Sequence, residues 1–185
     1  MSVSFGAQSL LTPFETLAEY ERRSLAHVAG LPDQVEAPGL WRGIGFRIGS
    51  RHFVSSINEV NEILTWPSLT IVPGTRSWLL GVANIRGNLV PVVDLKQFLE
   101  GERAVLTETS RILMVRQQGG SVGLLVDEVL GQRNVSDEQR DEALAEEDAR
   151  YEPYVSEKYP MGEMDWGLFS MAALVRTPEF SQAAG

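Results

Sequence analysis

The sequence predicts a mainly β protein, and three observations carry that expectation. Seventeen glycines and nine prolines are scattered along 185 residues, a distribution that suits many short strands joined by turns better than a few long helices. From Leu40 onward the apolar period is two: Ile44, Phe46 and Ile48 alternate with Gly45, Arg47 and Gly49, the pattern of a strand with one buried face. Gly49-Ser50 and Gly119-Gly120 supply hairpin turns between consecutive strand-like runs.

The N-terminal residues differ from the rest. Thr12-Pro13-Phe14-Glu15 reads as a helix start, with Thr12 as cap, Pro13 where no donor is lost and Glu15 completing a capping box. Phe14, Leu17, Ala18, Leu25 and Val28 form a partial apolar stripe, and Gly30-Leu31-Pro32 ends the helix. Residues 33–39 are a polar linker. The chain is therefore divided into a helical extension with linker over 1–39, a β domain over 40–180 and a tail over 181–185.

After the strand near Ile44, further strands are expected over 52–57, 68–72, 89–93, 111–116, 122–126, 129–135 and 166–170, because each run is rich in β-branched or aromatic residues and bounded by turn formers. Helical pieces are expected over 95–99, 137–150 and 171–176. The second of these opens with the capping box Ser136-Asp137-Glu138-Gln139 and has Leu144 as its only large apolar residue, so it is read as a solvated acidic surface segment.

Charge and composition exclude several functions. The formal net charge of -9 disfavours nucleic acid, whose phosphates require a basic surface. Cysteine is absent, so no disulfide framework or zinc-thiolate site is available. Residues 1–11 lack a basic segment followed by an apolar one, and no apolar run is long enough to span a bilayer. The expectation is a soluble cytoplasmic protein without direct membrane insertion.

No reaction centre emerges either. His27 and His52 have no metal-ligand spacing to another histidine or carboxylate. Gly43-Ile44-Gly45 with Gly49 fails the dinucleotide fingerprint by one residue and lies inside a strand pattern, and phosphate-loop and nucleophile-elbow motifs are absent. Asp127 and Glu128 are adjacent, which on a strand sends them to opposite faces. Neither catalytic residues, cofactor nor metal is expected. A small hydrolase or transferase on a β scaffold, and a structural β module outside signalling, are the rival classes.

The densest stretch runs from Trp78 to Leu95. Gly87 after Arg86 fits a turn that needs positive φ, and Pro91 inside a strand pattern implies an edge or a bulge. Asp94-Leu95-Lys96-Gln97 is a capping box, which favours Asp94 as a helix cap over a contact residue. Arg86 either buttresses its own turn or meets a partner.

The run Gly81-Val82-Ala83-Asn84-Ile85-Arg86-Gly87-Asn88-Leu89-Val90-Pro91-Val92-Val93-Asp94-Leu95 resembles the signature of the CheW-like domain, Gly-Val-x-Asn-x-Arg-Gly followed by a Pro and an Asp-Leu. Flanking runs resemble the family in the same order: residues 57–64 (INEVNEIL), Val72-Pro73-Gly74, and residues 123–129 (GLLVDEV). The Thr12-Pro13-Phe14 start, Trp41 to Arg47, and Phe169-Ser170-Met171 with Leu174 are similar to CheW-like adaptors of twitching-motility (type IV pilus) chemosensory systems, flagellar chemotaxis adaptors being the alternative.

The resemblance implies two SH3-like five-stranded β-barrels with the N-terminal helix and short peripheral helices around them. It implies a non-catalytic adaptor that couples the cytoplasmic hairpin tip of a chemoreceptor to the regulatory domain of a CheA-like histidine kinase, recruited to membrane-associated arrays. By motif position, Val60, Glu62, Gly81, Asn84, Arg86 and Gly87 are implied on the receptor side, and Ile57 and Asn58 on the kinase side. The acidic segment after Val135 departs from the family's Pro-rich connection, and no residue role is carried across it.

Overall fold

Alternating apolar side chains assemble the strands into two five-stranded sheets that share a third, common core. The computed structural model describes residues 13–26, 39–139 and 149–181. Residues 1–35 form one unit and residues 36–185 another. The first contributes helix α1 (Pro13–Ala26), on which Phe14, Leu17 and Tyr20 are exposed. The expected cap Thr12 and stop at Gly30-Leu31-Pro32 fall outside the described residues.

In the second unit the chain runs through β1 (Leu40–Ile48), β2 (Arg51–Ser56), β3 (Val60–Leu64), β4 (Leu79–Ile85), β5 (Asn88–Asp94), α2 (Leu95–Glu100), β6 (Arg111–Gln117), β7 (Gly120–Val126) and β8 (Glu128–Ser136). One 3-10 turn, Asp137–Gln139, follows, then β9 (Val155–Met161), β10 (Met164–Phe169), α3 (Met171–Arg176) and α4 (Pro178–Ser181). One sheet has the order β8-β1-β2-β10-β9 and the other β3-β6-β7-β5-β4. All neighbours are antiparallel except β10 with β2 and β5 with β7. This is the two-subdomain, mainly β architecture implied by the resemblance.

Strand periodicity explains how three cores arise from two sheets. On β6, Ile112 and Met114 point to one side and join Ala83, Val90, Val92 and Leu125 in a cluster inside the second sheet. Leu113 and Val115 point to the other side and join the cluster that also holds Phe46, Phe53 and Phe169 of the first sheet. Val54, Val135, Tyr159 and Trp166 fill the first sheet's own interior. The shared core is strongly aromatic: Phe53 stacks on Tyr151 at 5.1 Å, and Trp78 stacks on Phe180 at 5.8 Å.

Two short crossings connect the sheets. Residues 57–59 carry the chain from β2 to β3, and Asp127 alone carries it back from β7 to β8. The second crossing is pinned on the first sheet: Asp127 Oδ2 accepts the Gly49 N–H at 2.6 Å and lies 3.9 Å from Arg47 Nη1. Arg47 also bonds Glu128 at 3.3 Å. Asp127 therefore does not oppose Glu128 across a strand as expected, because it sits at the crossing and both carboxylates converge on one guanidinium.

The structure corrects several further expectations. Residues 68–72 are not a strand; Thr70 alone bridges Val82, since Pro67, Pro73 and Gly74 punctuate the segment. Ile57 lies in the crossing turn and not in β2. Strands β3, β4 and β9 were not among the expected strands.

Pro91 lies on β5, which has neighbours on both sides and is no edge; the β4–β5 ladder is, however, bulged between Leu79 and Gly81, beside Val82, the partner of Pro91. Val82 N–H and C=O are both spent on Thr70, so Val82 and Pro91 form a pair without ladder bonds. The missing donor of Pro91 points toward β7, where the parallel ladder begins one residue later at Val92. Of the acidic segment, residues 137–139 form the 3-10 turn and residues 140–148 lie outside the described residues.

Candidate functional site

The surface around the β4–β5 hairpin is built from strained backbone and one cross-sheet ion pair. Ile85 pairs with Asn88, so Arg86 and Gly87 are the whole loop, with φ of 53° and 84°. Two successive residues at positive φ make the type I′ turn that matches strand twist. Glycine accepts this geometry freely, but an arginine at positive φ is uncommon and costs on the order of 1 kcal/mol. Asn84 Oδ1 accepts the Gly87 N–H at 2.9 Å and holds the turn. Arg86 is the only non-glycine at positive φ among the described residues.

The arginine does not buttress its own turn. Its Nη2 donates to Glu62 Oε1 on β3, a strand at the opposite end of the sheet order from β4. Glu62 is available because β3 is bulged: Val60 opposes Val115, whereas Glu62 opposes Met114. The extra residue, Asn61, turns Val60 toward the shared core and Glu62 toward the barrel rim. With the Arg86 side chain 76% exposed, the pair contributes little to stability; its effect is to fix a guanidinium at the surface. A hollow of about 490 Å³ adjoins it, bordered by Glu62, Arg86, Leu89, Arg116 and the β6–β7 turn.

Of the residues implied on the receptor side, Val60 is half-buried against the shared core, Asn84, Arg86 and Gly87 are exposed, and Gly81 is buried. Gly81 has φ 143°, and a Cβ there would stand 2.4 Å from the Thr70 carbonyl oxygen. Its identity is explained by that close approach. Ile57 and Asn58 are exposed in the crossing turn, with Ile57 N–H bonded to the Arg42 carbonyl at 3.1 Å.

Glu59 in the same turn went unremarked in the sequence, and its side chain makes more bonds than any other carboxylate among the described residues. It accepts from Ser55 Oγ at 2.8 Å, Met171 N at 3.1 Å, Ala172 N at 3.2 Å and Ser170 Oγ at 3.4 Å. Three of the four partners lie more than a hundred residues away, so no local spacing signals them.

Asp94 is the cap favoured by its spacing: Oδ1 accepts the Gln97 N–H at 3.0 Å and Oδ2 the Ala104 N–H at 2.9 Å, with the residue buried. The loops flanking it expose a second surface. Trp66, Leu69, Ile71, Leu80, Ala104 and Leu106 border an apolar hollow of about 380 Å³, and Ile71 and Val105 are 79% and 74% exposed. The expected strand over 68–72 hid this face, although three apolar residues between two prolines, Leu69, Ile71 and Val72, were its visible signal.

No group of three or more His, Asp or Glu side chains among the described residues is arranged to hold a metal ion. His52 packs at 5.3 Å against the Trp166 ring. No described helix is long and apolar enough to cross a membrane. What the surface offers is a rigid hairpin, a fixed charge pair and exposed apolar side chains, which are means of binding protein.

The match to the family's own pattern decides the assignment: the CheW-like domain model matches residues 42–179. The chain belongs to the CheW-like domain family. It is 39% identical over 173 residues to protein PilI of Pseudomonas aeruginosa, covering 94% of this chain and 97% of PilI. A probable chemotaxis protein CheW of Rhizobium etli is 38% identical over 95 residues, 51% of this chain and 61% of that protein. The crystal structure of the scaffolding protein TtCheW from Thermoanaerobacter tengcongensis superposes with a TM-score of 0.61 at 22% identity, covering 70% of this chain and 88% of that one, which shows a shared fold. As a CheW-like protein the chain is a scaffolding adaptor of chemosensory signalling and not an enzyme.

Proposed function

We propose that this adaptor couples a chemoreceptor to a CheA-like histidine kinase in an array that controls type IV pilus twitching. The observation that carries the pilus assignment is the reach of the PilI similarity across 94% of this chain and 97% of PilI, whereas the matched chemotaxis CheW of Rhizobium etli shares only 51% of this chain. The receptor's helical hairpin rests on the face of Val60, Glu62, Asn84, Arg86 and Gly87, with Gly81 beneath it. Leu89 and Val60 supply apolar contact, and the Arg86–Glu62 pair sets register. The kinase's regulatory domain meets the turn at Ile57 and Asn58.

The apolar hollow at Trp66, Ile71 and Leu106 is a further protein-docking face, since a contiguous exposed apolar patch marks an interaction surface. Individual contacts are modest, and repetition in an array at high effective concentration compensates for them. Array recruitment brings the protein to the membrane through the receptor.

The test is affinity capture from the native cell, combined with deletion of the gene. Recovery of a receptor and a histidine kinase together, with twitching lost on deletion and restored by complementation, is the expected result. Capture of neither partner refutes the adaptor role, and intact twitching with lost swimming chemotaxis reassigns the output to a flagellar pathway.

A further inference from the structure

Four consecutive residues, Ile57 to Val60, carry parts of both docking segments: Ile57 and Asn58 on the kinase side, Val60 on the receptor side. Glu59 lies between them. Its backbone and that of Asn58 are tied only locally, the Glu59 N–H to the Ser56 carbonyl at 3.0 Å and the Asn58 N–H to Ser56 Oγ at 3.4 Å. Ile57 alone of the three turn residues donates to a distant strand, at the Arg42 carbonyl.

The Glu59 carboxylate supplies the remaining anchorage. It takes the hydroxyl of Ser55, which is fully buried, and the N–H groups of Met171 and Ala172 at the start of α3. Met171 and Leu174 of that helix are fully buried in the shared core, and Val60 packs against the same core. The turn is thereby fastened, through one side chain, to the most enclosed part of the molecule.

We infer that Glu59 is a positioning residue for both partners: its carboxylate presets the turn, so that the kinase-side and receptor-side segments are ordered before either partner arrives. This rests on the adaptor reading above and adds a role for a residue whose side chain is directed at α3. A segment already ordered in the free protein adds no ordering cost to binding, whereas a segment ordered by its partner lowers affinity by that cost. Ile57, Asn58 and Val60 share one turn, so without the clamp either partner orders it for both. The second partner then binds more tightly than the first, which is cooperativity without any new contact. With the clamp in place the two partners bind independently, and the adaptor is a rigid link.

The experiment is calorimetric titration of the full chain with two probes from the same genome, the soluble cytoplasmic hairpin fragment of a chemoreceptor and the regulatory domain of a CheA-like kinase. Each is titrated alone and with the other saturating. Glu59→Gln keeps the size of the side chain and one acceptor, but places an amino group among the helix donors. Ser170→Ala is the control, since it removes the other cap of α3, the bond from the Ala173 N–H to Ser170 Oγ at 3.1 Å, and leaves the bonds from Met171 and Ala172 to Glu59.

Glu59→Gln is expected to weaken each probe roughly five- to tenfold when it is alone, and to bind it with wild-type affinity when the other is present. The wild type and Ser170→Ala should bind each probe equally with and without the other. In the free proteins, the Ile57 and Glu59 amides should exchange with solvent faster in Glu59→Gln than in the wild type or Ser170→Ala, with circular dichroism unchanged.

Undiminished affinities in Glu59→Gln overturn the inference, as does cooperativity already present in the wild type. A loss that the second probe does not restore marks general damage, and the same pattern in Ser170→Ala assigns the effect to helix stability; either overturns it. A loss confined to one probe overturns the shared turn. A wild-type chain that binds neither probe refutes the adaptor reading itself, and amide exchange still decides the clamp: equal rates in Glu59→Gln and the wild type show that Glu59 does not preset the turn.

Discussion

Glu59 accepts the backbone N–H of Met171 at 3.1 Å, joining the turn between the two sheets to the first residue of a helix near the other end of the chain. The same carboxylate takes the next N–H and the hydroxyl of Ser55. One side chain thus satisfies helix donors that α3, only six residues long, cannot satisfy itself. Glu59→Ala is expected to destabilise the protein by about 1–2 kcal/mol, the usual cost of a lost cap with buried donors. Urea unfolding measures it, and a midpoint equal to wild type would show the bonds to be dispensable.

Gly81 and Gly87 both have positive φ but differ in surroundings. A Cβ on Gly81 meets the Thr70 carbonyl at 2.4 Å, while one on Gly87 meets nothing within 4 Å. Gly81→Ala is expected to cost more than about 2 kcal/mol, since backbone must shift. Gly87→Ala should cost about 1 kcal/mol, from the left-handed conformation alone. Comparing the two melting temperatures checks this order.

Arg86 occupies the first loop position of a turn that prefers asparagine. Arg86→Asn is therefore expected to raise stability by a few tenths of a kcal/mol while weakening receptor binding, and Arg86→Ala to weaken binding with the fold retained. Calorimetric unfolding alongside a pull-down with the receptor fragment separates the two effects. Unchanged binding by both folded variants would remove Arg86 from the docking face.

The phenol of Tyr159 is pushed up to about 12 by burial, reinforced by its hydrogen bond to Glu157 at 2.6 Å. In the unfolded chain a tyrosine titrates near 10. Between those values the folded state holds a proton that the unfolded state has lost, so stability falls as pH rises through this window. Tyr159→Phe should flatten that alkaline loss without abolishing it. Burial, together with the bond to Glu100, raises Tyr151 in the same direction. Unfolding midpoints at about pH 9 and about pH 11.5 provide the comparison.

The sequence made legible what depends on near neighbours. Period-two alternation marked β1, Gly49-Ser50 marked the first hairpin, and Gly119-Gly120 marked the later one to within a residue, its loop being Gln118-Gly119. The spacing of Asp94 and Gln97 marked a cap, because donor and acceptor lie within one turn. It left hidden what depends on distance. Strands β3 and β4 carry Glu62 and Gly81, whose roles follow from a bulge and from a bridge to Thr70. Three of the four bonds of Glu59 join segments that only the closed fold brings together. Pro91 misled only as to an edge, because an interior strand loses one donor harmlessly where its parallel neighbour has not yet begun, while the ladder it belongs to is bulged at Leu79–Gly81. The apolar face at Trp66 and Ile71 was read as a strand because β-branched residues in a proline-bounded loop show the same composition.

The connectivity has a consequence for biogenesis. All five strands of the second sheet lie within residues 60–126, inserted whole between β2 and β8 of the first. On the ribosome the inserted sheet is complete before the last three strands of its host have been made. The host hairpin β1–β2 lacks its sheet neighbours β8 and β10 until they arrive, with Phe46 and Phe53 able to pack only on the inserted sheet's side of the shared core. The inserted barrel is thus the part whose strands are all available first, and a nascent chain stalled between β7 and β9 leaves the first sheet short of its partners, the unpaired-edge condition that favours aggregation.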